Sequence, residues 1–176
     1  MSVFHHHTRR LPLGAERFMA LFEGIEGGFA IAAGVIAGLS FGGLDKHALI
    51  LTAIVSILVN GFNSASVRYS SDTYMDDVDG IKSAQPFRDY VVPSLLQFAA
   101  YIIVSLVSIL PLFLVPDLNL AVLYCCVFTL VILLISGYWR ASLLDGARWH
   151  EGLETAALGL GIILVGTFSG MISHSL

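Results

Sequence analysis

The stretch FEGIEGGFAIAAGVIAGLSFGG, Phe22 to Gly43, sets two acids in a run that is otherwise apolar and rich in glycine and alanine. Counted back to Phe18, the run reaches the roughly 20 residues that a helix needs to cross a bilayer core. Working outward, four further windows have the same length and character: His47 to Val67, Ser94 to Val115, Asn119 to Trp139 and Leu153 to Ser173. Turn chemistry separates them, at Gly42-Gly43-Leu44-Asp45, along the polar stretch Ser70 to Arg88, at Pro116-Asp117 and at Leu144-Asp145-Gly146. The fold expected is all-α, a polytopic integral membrane protein with five transmembrane helices. Residues 1–17 form a cytoplasmic N-terminal tail and 18–176 the five-helix domain. The long, acid-bearing first span lacks a small-residue cleavage site, so it does not read as a cleavable signal peptide.

Composition agrees. The 176 residues are 56% hydrophobic and 12% charged, against about 25% charged in ordinary soluble domains, with a mean hydropathy of +0.82. A net charge of −4 without a basic cluster leaves no electrostatic footprint for nucleic acid. The partner of such a chain is the lipid bilayer. Arg9, Arg10, Arg17, Arg68, Lys82, Arg88, Arg140 and Arg148 fall on one side of the five spans and Lys46 alone on the other. That asymmetry puts the N-terminus in the cytoplasm and, after five crossings, the C-terminus on the far side.

Acids inside a span are costly to insert and point to function by default. Glu23 and Glu26 are three residues apart and share a helix face. Glu26 lies about 12 Å along the helix from Phe18 at 1.5 Å per residue. A protonated Glu26 that merely bonds another helix is the alternative. Gly24, Gly27, Gly28, Gly34 and Gly38 give small-xxx-small spacings, which favour close helix packing.

In the second helix Ser56, Asn60, Asn63, Ser64 and Arg68 recur at three- or four-residue spacing and form one polar stripe. Amide and hydroxyl oxygens beside a carboxylate make a hard donor set suited to a divalent cation such as Mn2+ or Fe2+. Asn and Ser also serve simply to join helices. Asp72, Asp76, Asp77 and Asp79 follow, as a cation-concentrating cluster or a solvated loop. The third and fourth helices, apolar apart from Gln97, Ser105, Ser108, Thr129 and Ser136, read as scaffold without evident chemistry. Pro93 suits a first turn, and Pro111 and Pro116 bend and end the third helix.

His150 and Glu154 share a face at i,i+4 spacing beside Glu151, where interfacial anchoring by Trp139 and Trp149 is the plainer reading. His5, His6 and His7 read as a polar tail, and Cys125 and Cys126 as packing or lipid-facing residues. No nucleophile elbow, HExxH, phosphate loop or CxxC occurs, so the chain does not read as an enzyme. An integral-membrane hydrolase built on His150, Glu151 and Glu154 is the weakest rival.

Four segments carry a family resemblance. They are Gly24-Ile25-Glu26-Gly27 running on to Ala37-Gly38-Leu39; NGFNSASVRYSS, with Tyr69 and Ser71; Pro111 to Pro116; and Gly137, Arg140, Ala141, Trp149, Gly152 and Leu153. Together they resemble the vacuolar iron transporter family, and the likeness covers most of Phe18 to Ile172. The resemblance implies five transmembrane helices, a homodimer, and export of Fe2+ or Mn2+ from the cytoplasm in exchange for protons, with no bound cofactor. The two intramembrane acids facing the polar stripe make Glu26 the expected central metal ligand and proton-exchanging group. Glu23, Asn60, Asn63, Ser64 and Tyr69 would complete the shell, and Asp72, Asp76, Asp77, Asp79 and Glu154 would form a funnel at its mouth. The sequence also departs from the family. Glu26 stands for the usual Asp, and the family's metal-binding Met and Glu fall on Ser64 and Arg68. Only Ser70 to Arg88 stands where plant and yeast members carry a long Glu-rich metal-binding segment. A rival from another class follows: a non-transporting membrane protein on the same scaffold, its site closed by Arg68 paired with an acid, acting through partners.

Overall fold

A computed structural model describes residues 14–80 and 83–175. The histidines His5 to His7, Arg9, Arg10, Lys82 and most of the expected N-terminal tail lie outside the described residues. Among the described residues the secondary structure is helical throughout. Five helices are long and apolar enough to cross a membrane: α1 (Ala15–Phe41), α2 (Lys46–Asp79), α3 (Phe87–Leu114), α4 (Leu118–Leu143) and α5 (Arg148–His174). The expected all-α, five-span architecture is what folds.

The helix ends follow from local chemistry. Asp45 caps α2 by accepting from the backbone N–H groups of His47 at 2.9 Å and Ala48 at 3.1 Å. Asp117 caps α4 through the N–H of Leu120 at 2.8 Å. Gly80 stops α2 in the left-handed region at φ 68°, which glycine adopts without a Cβ penalty. The connection to α3 begins as a π-helical turn, Phe87–Val91, and passes into Val92–Ser108. Ile109 interrupts α3 ahead of Pro111, and a last short piece, Leu110–Leu114, ends before Pro116, as Pro111 and Pro116 foretell.

Several boundaries differ from the sequence expectation: α1 begins at Ala15, α4 runs on to Leu143 and α5 begins at Arg148, each three to five residues beyond the expected end, and two differences are larger. The polar stretch after Val67 is not a loop up to Arg88: α2 continues to Asp79, because Ser70 to Asp79 contains no glycine or proline to stop it. At 34 residues, α2 is about 51 Å long at 1.5 Å per residue, well beyond a hydrocarbon core of about 30 Å. The third span likewise starts at Phe87, seven residues ahead of Ser94.

α1 is the hub and packs against all four other helices. Its glycines make this possible. A Cβ on Gly24 would lie 2.5 Å from the Gln97 carbonyl oxygen, and one on Gly28 would lie 2.7 Å from that of Tyr101, so α3 approaches α1 backbone to backbone. On the opposite side Gly34 and Gly38 meet Ile162 and Gly166 of α5, where a Cβ on Gly38 would stand 2.7 Å from the Gly166 carbonyl oxygen. The small-xxx-small spacing thus serves helix packing. Ile36, Leu49, Ile57, Tyr101, Ile109 and Leu112 fill the core between α1, α2 and α3. Cys125 is buried against this core, and both cysteines are free thiols. Val55, Val59 and Phe62 of α2 and Leu158, Val165 and Phe168 of α5 are exposed, an apolar surface of the kind that lipid covers.

Candidate functional site

The polar stripe of α2 is not spread over lipid. It turns toward α1 and α3 and lines a hollow of about 460 Å³ with Glu23 from α1, Asn60, Asn63, Ser64, Arg68 and Asp72 from α2, and Gln97 from α3. Five of the eleven candidate residues are brought together here: Glu23, Asn60, Asn63, Ser64 and Asp72. Among the described residues no three His, Cys, Asp or Glu side chains converge on one point. The donors in the hollow are therefore two carboxylates supplemented by neutral oxygens, without sulfur or imidazole.

Arg68 organises the hollow. One guanidinium nitrogen donates to Glu23 Oε2 at 2.5 Å, another reaches the Glu16 carbonyl oxygen at 3.2 Å, and Nε stands 3.3 Å from Asp72 Oδ2, one turn along α2. The guanidinium is nearly buried, whereas the Glu23 side chain is 46% exposed and accessible from the hollow. Asn60 Nδ2 donates to the Ser56 carbonyl oxygen at 2.9 Å, which leaves its amide oxygen outside that bond. Gln97 Nε2 donates to Ser64 Oγ at 2.8 Å.

Glu26 goes elsewhere, contrary to the expectation that it shares a site with Glu23. Residues three apart are displaced by about 60° around a helix of 3.6 residues per turn. That is enough for Glu23 to meet α2 while Glu26 meets α4. Glu26 Oε2 accepts from Arg140 at 2.9 Å, and Oε1 accepts from the Ser136 hydroxyl at 3.3 Å. Arg140 also reaches Glu151 Oε2 at 3.3 Å and Thr155 Oγ1 at 3.5 Å, which ties α1, α4 and α5 into one ionic network.

The remaining candidates are scattered. Tyr69, one residue past Arg68 and so about 100° around the helix, leaves the hollow and stacks edge-on against Tyr90 at 6.5 Å. Asp76 accepts from the Tyr90 hydroxyl at 2.6 Å, binding α2 to the start of α3. Asp77 and Asp79 are exposed on the overhanging end of α2, which is helical, not a solvated loop. Glu154 lies 3.7 Å from His150 on the exposed surface of α5, and Glu151 is taken up by Arg140. The trio at that junction lines no pocket with the hollow.

α3 and α4 act as scaffold through polar as well as apolar contacts, since Gln97, Ser136 and Arg140 all hold polar partners across helices. The signal available in the sequence was the lone amide of Gln97 in an apolar helix, which must find a partner once buried.

A second hollow, about 480 Å³ and mostly apolar, lies between α1, α2 and α5, with Gly38, Ser56, Gly166 and Ser169 among its walls. It shares a single lining residue, Ile31, with the polar hollow.

A search of curated proteins finds no match to the chain. The profile of the VIT family matches residues 68–171, more than half of the sequence, from Arg68 at the polar hollow through α3 and α4 into the last turns of α5. With five membrane-length helices and this match, the chain belongs to the VIT family of membrane metal-ion transporters.

Proposed function

We propose that the protein carries Fe2+ or Mn2+ out of the cytoplasm by proton antiport, as a homodimer in a cell or organelle membrane, with its N-terminus cytoplasmic and its C-terminus on the far side. The observation that carries this reading is the polar hollow. It holds two carboxylates, Glu23 and Asp72, among neutral oxygens of Asn60, Asn63, Ser64 and Gln97, a set matched to hard divalent ions. A cation beside a carboxylate favours its ionised form. Metal arriving at Glu23 and Asp72 competes there with the Arg68 guanidinium for both carboxylates, and its departure lets the guanidinium return. Asp76, Asp77 and Asp79, on the overhang of α2, supply negative potential at the approach. Glu26 holds α1 against α4 and α5 through Arg140, in place of the central ligand role. Ile31 is the apolar step between this hollow and the second one.

A second reading, a non-transporting scaffold that acts through partners, draws on one observation: Arg68 already occupies Glu23 at 2.5 Å. Uptake of Fe2+ and Mn2+ into proteoliposomes under an imposed pH gradient separates the two. The transport reading expects gradient-dependent flux that Glu23→Gln abolishes and Glu26→Gln, corrected for folded protein, largely keeps. No flux in the unmodified protein, with flux appearing in Arg68→Glu, establishes the closed scaffold instead.

A further inference from the structure

Gln97 is 4% exposed, and only one half of its amide is used. Nε2 donates to Ser64 Oγ at 2.8 Å, while Oε1 has no hydrogen-bond partner. A buried amide oxygen left without a donor is uncommon in folded proteins and calls for an explanation. This oxygen belongs to a residue that lines the polar hollow on the α3 side, facing a wall that already carries Glu23 and Asp72. Its position is firmly set. The Gln97 backbone lies where α3 packs closely on α1, under Gly24, and the bond from Nε2 to Ser64 Oγ ties the side-chain amide to α2 and leaves Oε1 outside that bond.

An oxygen of this kind accepts only, so what completes it is a donor or a cation. We propose that Gln97 Oε1 is a cation ligand and selectivity-determining group of the hollow. It adds a neutral oxygen from α3 to the carboxylates of Glu23 and Asp72, which an entering cation takes over from Arg68, and so gives an all-oxygen set that prefers hard divalent ions of the Mn2+ class to thiophilic ones such as Cd2+. The inference rests on the reading of the hollow as the metal site and deepens it. Because Ser64 accepts from Nε2, substituting Gln97 changes both the donor count and the position of Ser64.

The test is equilibrium binding of Mn2+ and of Cd2+ to the full-length protein in lipid nanodiscs, for the unmodified chain and for Gln97→Leu, Gln97→Met and Glu23→Gln. Loss of about tenfold or more in Mn2+ affinity is expected for Gln97→Leu. Gln97→Met, which fills similar space with a thioether, is expected to lose Mn2+ to a like degree while moving the preference toward Cd2+. If Gln97→Leu does not fold, Gln97→Met decides by itself. Mn2+ affinity within about twofold of the unmodified chain in a folded Gln97 variant, with Glu23→Gln weakened, overturns the role of Gln97 and leaves the metal site standing. Absence of Mn2+ binding to the unmodified chain, or binding untouched by Glu23→Gln, removes the metal reading of the hollow and the role of Gln97 with it.

Discussion

Arg68 of α2 and Glu23 of α1 meet at 2.5 Å across the mouth of the polar hollow, so a cation that seeks the Glu23 carboxylate competes with one already tethered there. The pair is held on its other side by Asp72 at 3.3 Å. Removing Arg68 frees two carboxylates at once.

For Arg68→Ala the expected outcome is therefore a divergence between stability and binding. With Glu23 half exposed, the ion pair is worth at most about 1 kcal/mol, so the modest drop expected in thermal unfolding comes mainly from the lost packing of the nearly buried Arg68 side chain and its bond to the Glu16 carbonyl. Mn2+ affinity in the same preparation rises several-fold. An affinity that does not change shows that the guanidinium never stood in the way.

The ionic network at Arg140 behaves in the opposite manner. Its side chain and that of Glu26 are largely buried, and among the described residues Arg140 is the cation paired with Glu26, while it also contacts Glu151. Arg140→Met leaves those carboxylates uncompensated, and a loss of about 2 to 4 kcal/mol is expected in denaturation of the solubilised protein. Glu26→Gln keeps an oxygen that can accept from Arg140 and Ser136, so its loss stays within about 1.5 kcal/mol. Equal losses in the two variants contradict this assignment.

Gly38 and Gly161 form a matched pair of sites. A Cβ on Gly38 meets the Gly166 carbonyl at 2.7 Å, while one on Gly161 meets nothing within 4 Å. Gly38→Ala is expected to destabilise by about 1 to 3 kcal/mol, as overpacking does. Gly161→Ala is neutral or slightly stabilising, through helix propensity. Melting temperatures of the two variants, side by side, check the contact between α1 and α5.

Tyr101 is fully buried, and its hydroxyl has no partner. Tyr101→Phe removes only that unpaired group, so stability is expected to hold or to rise by about 1 kcal/mol. Tyr101→Ala empties the centre of the core and costs about 3 to 5 kcal/mol. A marked loss in Tyr101→Phe reveals that the hydroxyl binds a water or an ion.

The spans were legible because each is a long apolar run bounded by Asp caps, Gly or Pro, and hydropathy needs no tertiary information. The overhang of α2 escaped that logic, since Ser70 to Asp79 is polar and yet holds nothing that breaks a helix before Gly80. Within the site, the α2 stripe was readable from its own spacing, and the pairing of Arg68 with an acid was a foreseeable alternative. The separation of Glu23 from Glu26 was not. It depends on Arg140, 114 residues farther along the chain, and no spacing rule reaches across three helices. Gln97 was visible as a polar exception in an apolar helix, yet its role was not, because its partner Ser64 lies on another helix.

The contact of Gly34 and Gly38 with Ile162, Gly166 and Gly170 brings the backbones of α1 and α5 together, with few side chains, such as Ile162 and Ile163, between them. Side chains are what ordinarily absorb a small slide between helices, by changing rotamer. Where two backbones touch directly, one cannot shift along the other without steric collision, and the pair moves as a single rigid strut. α2 is joined to that strut by rotatable side chains, through Ile57 and Tyr101 in the core and Arg68 at the rim. The compliant joint of the molecule thus runs between α1 and α2, along the seam that contains the polar hollow.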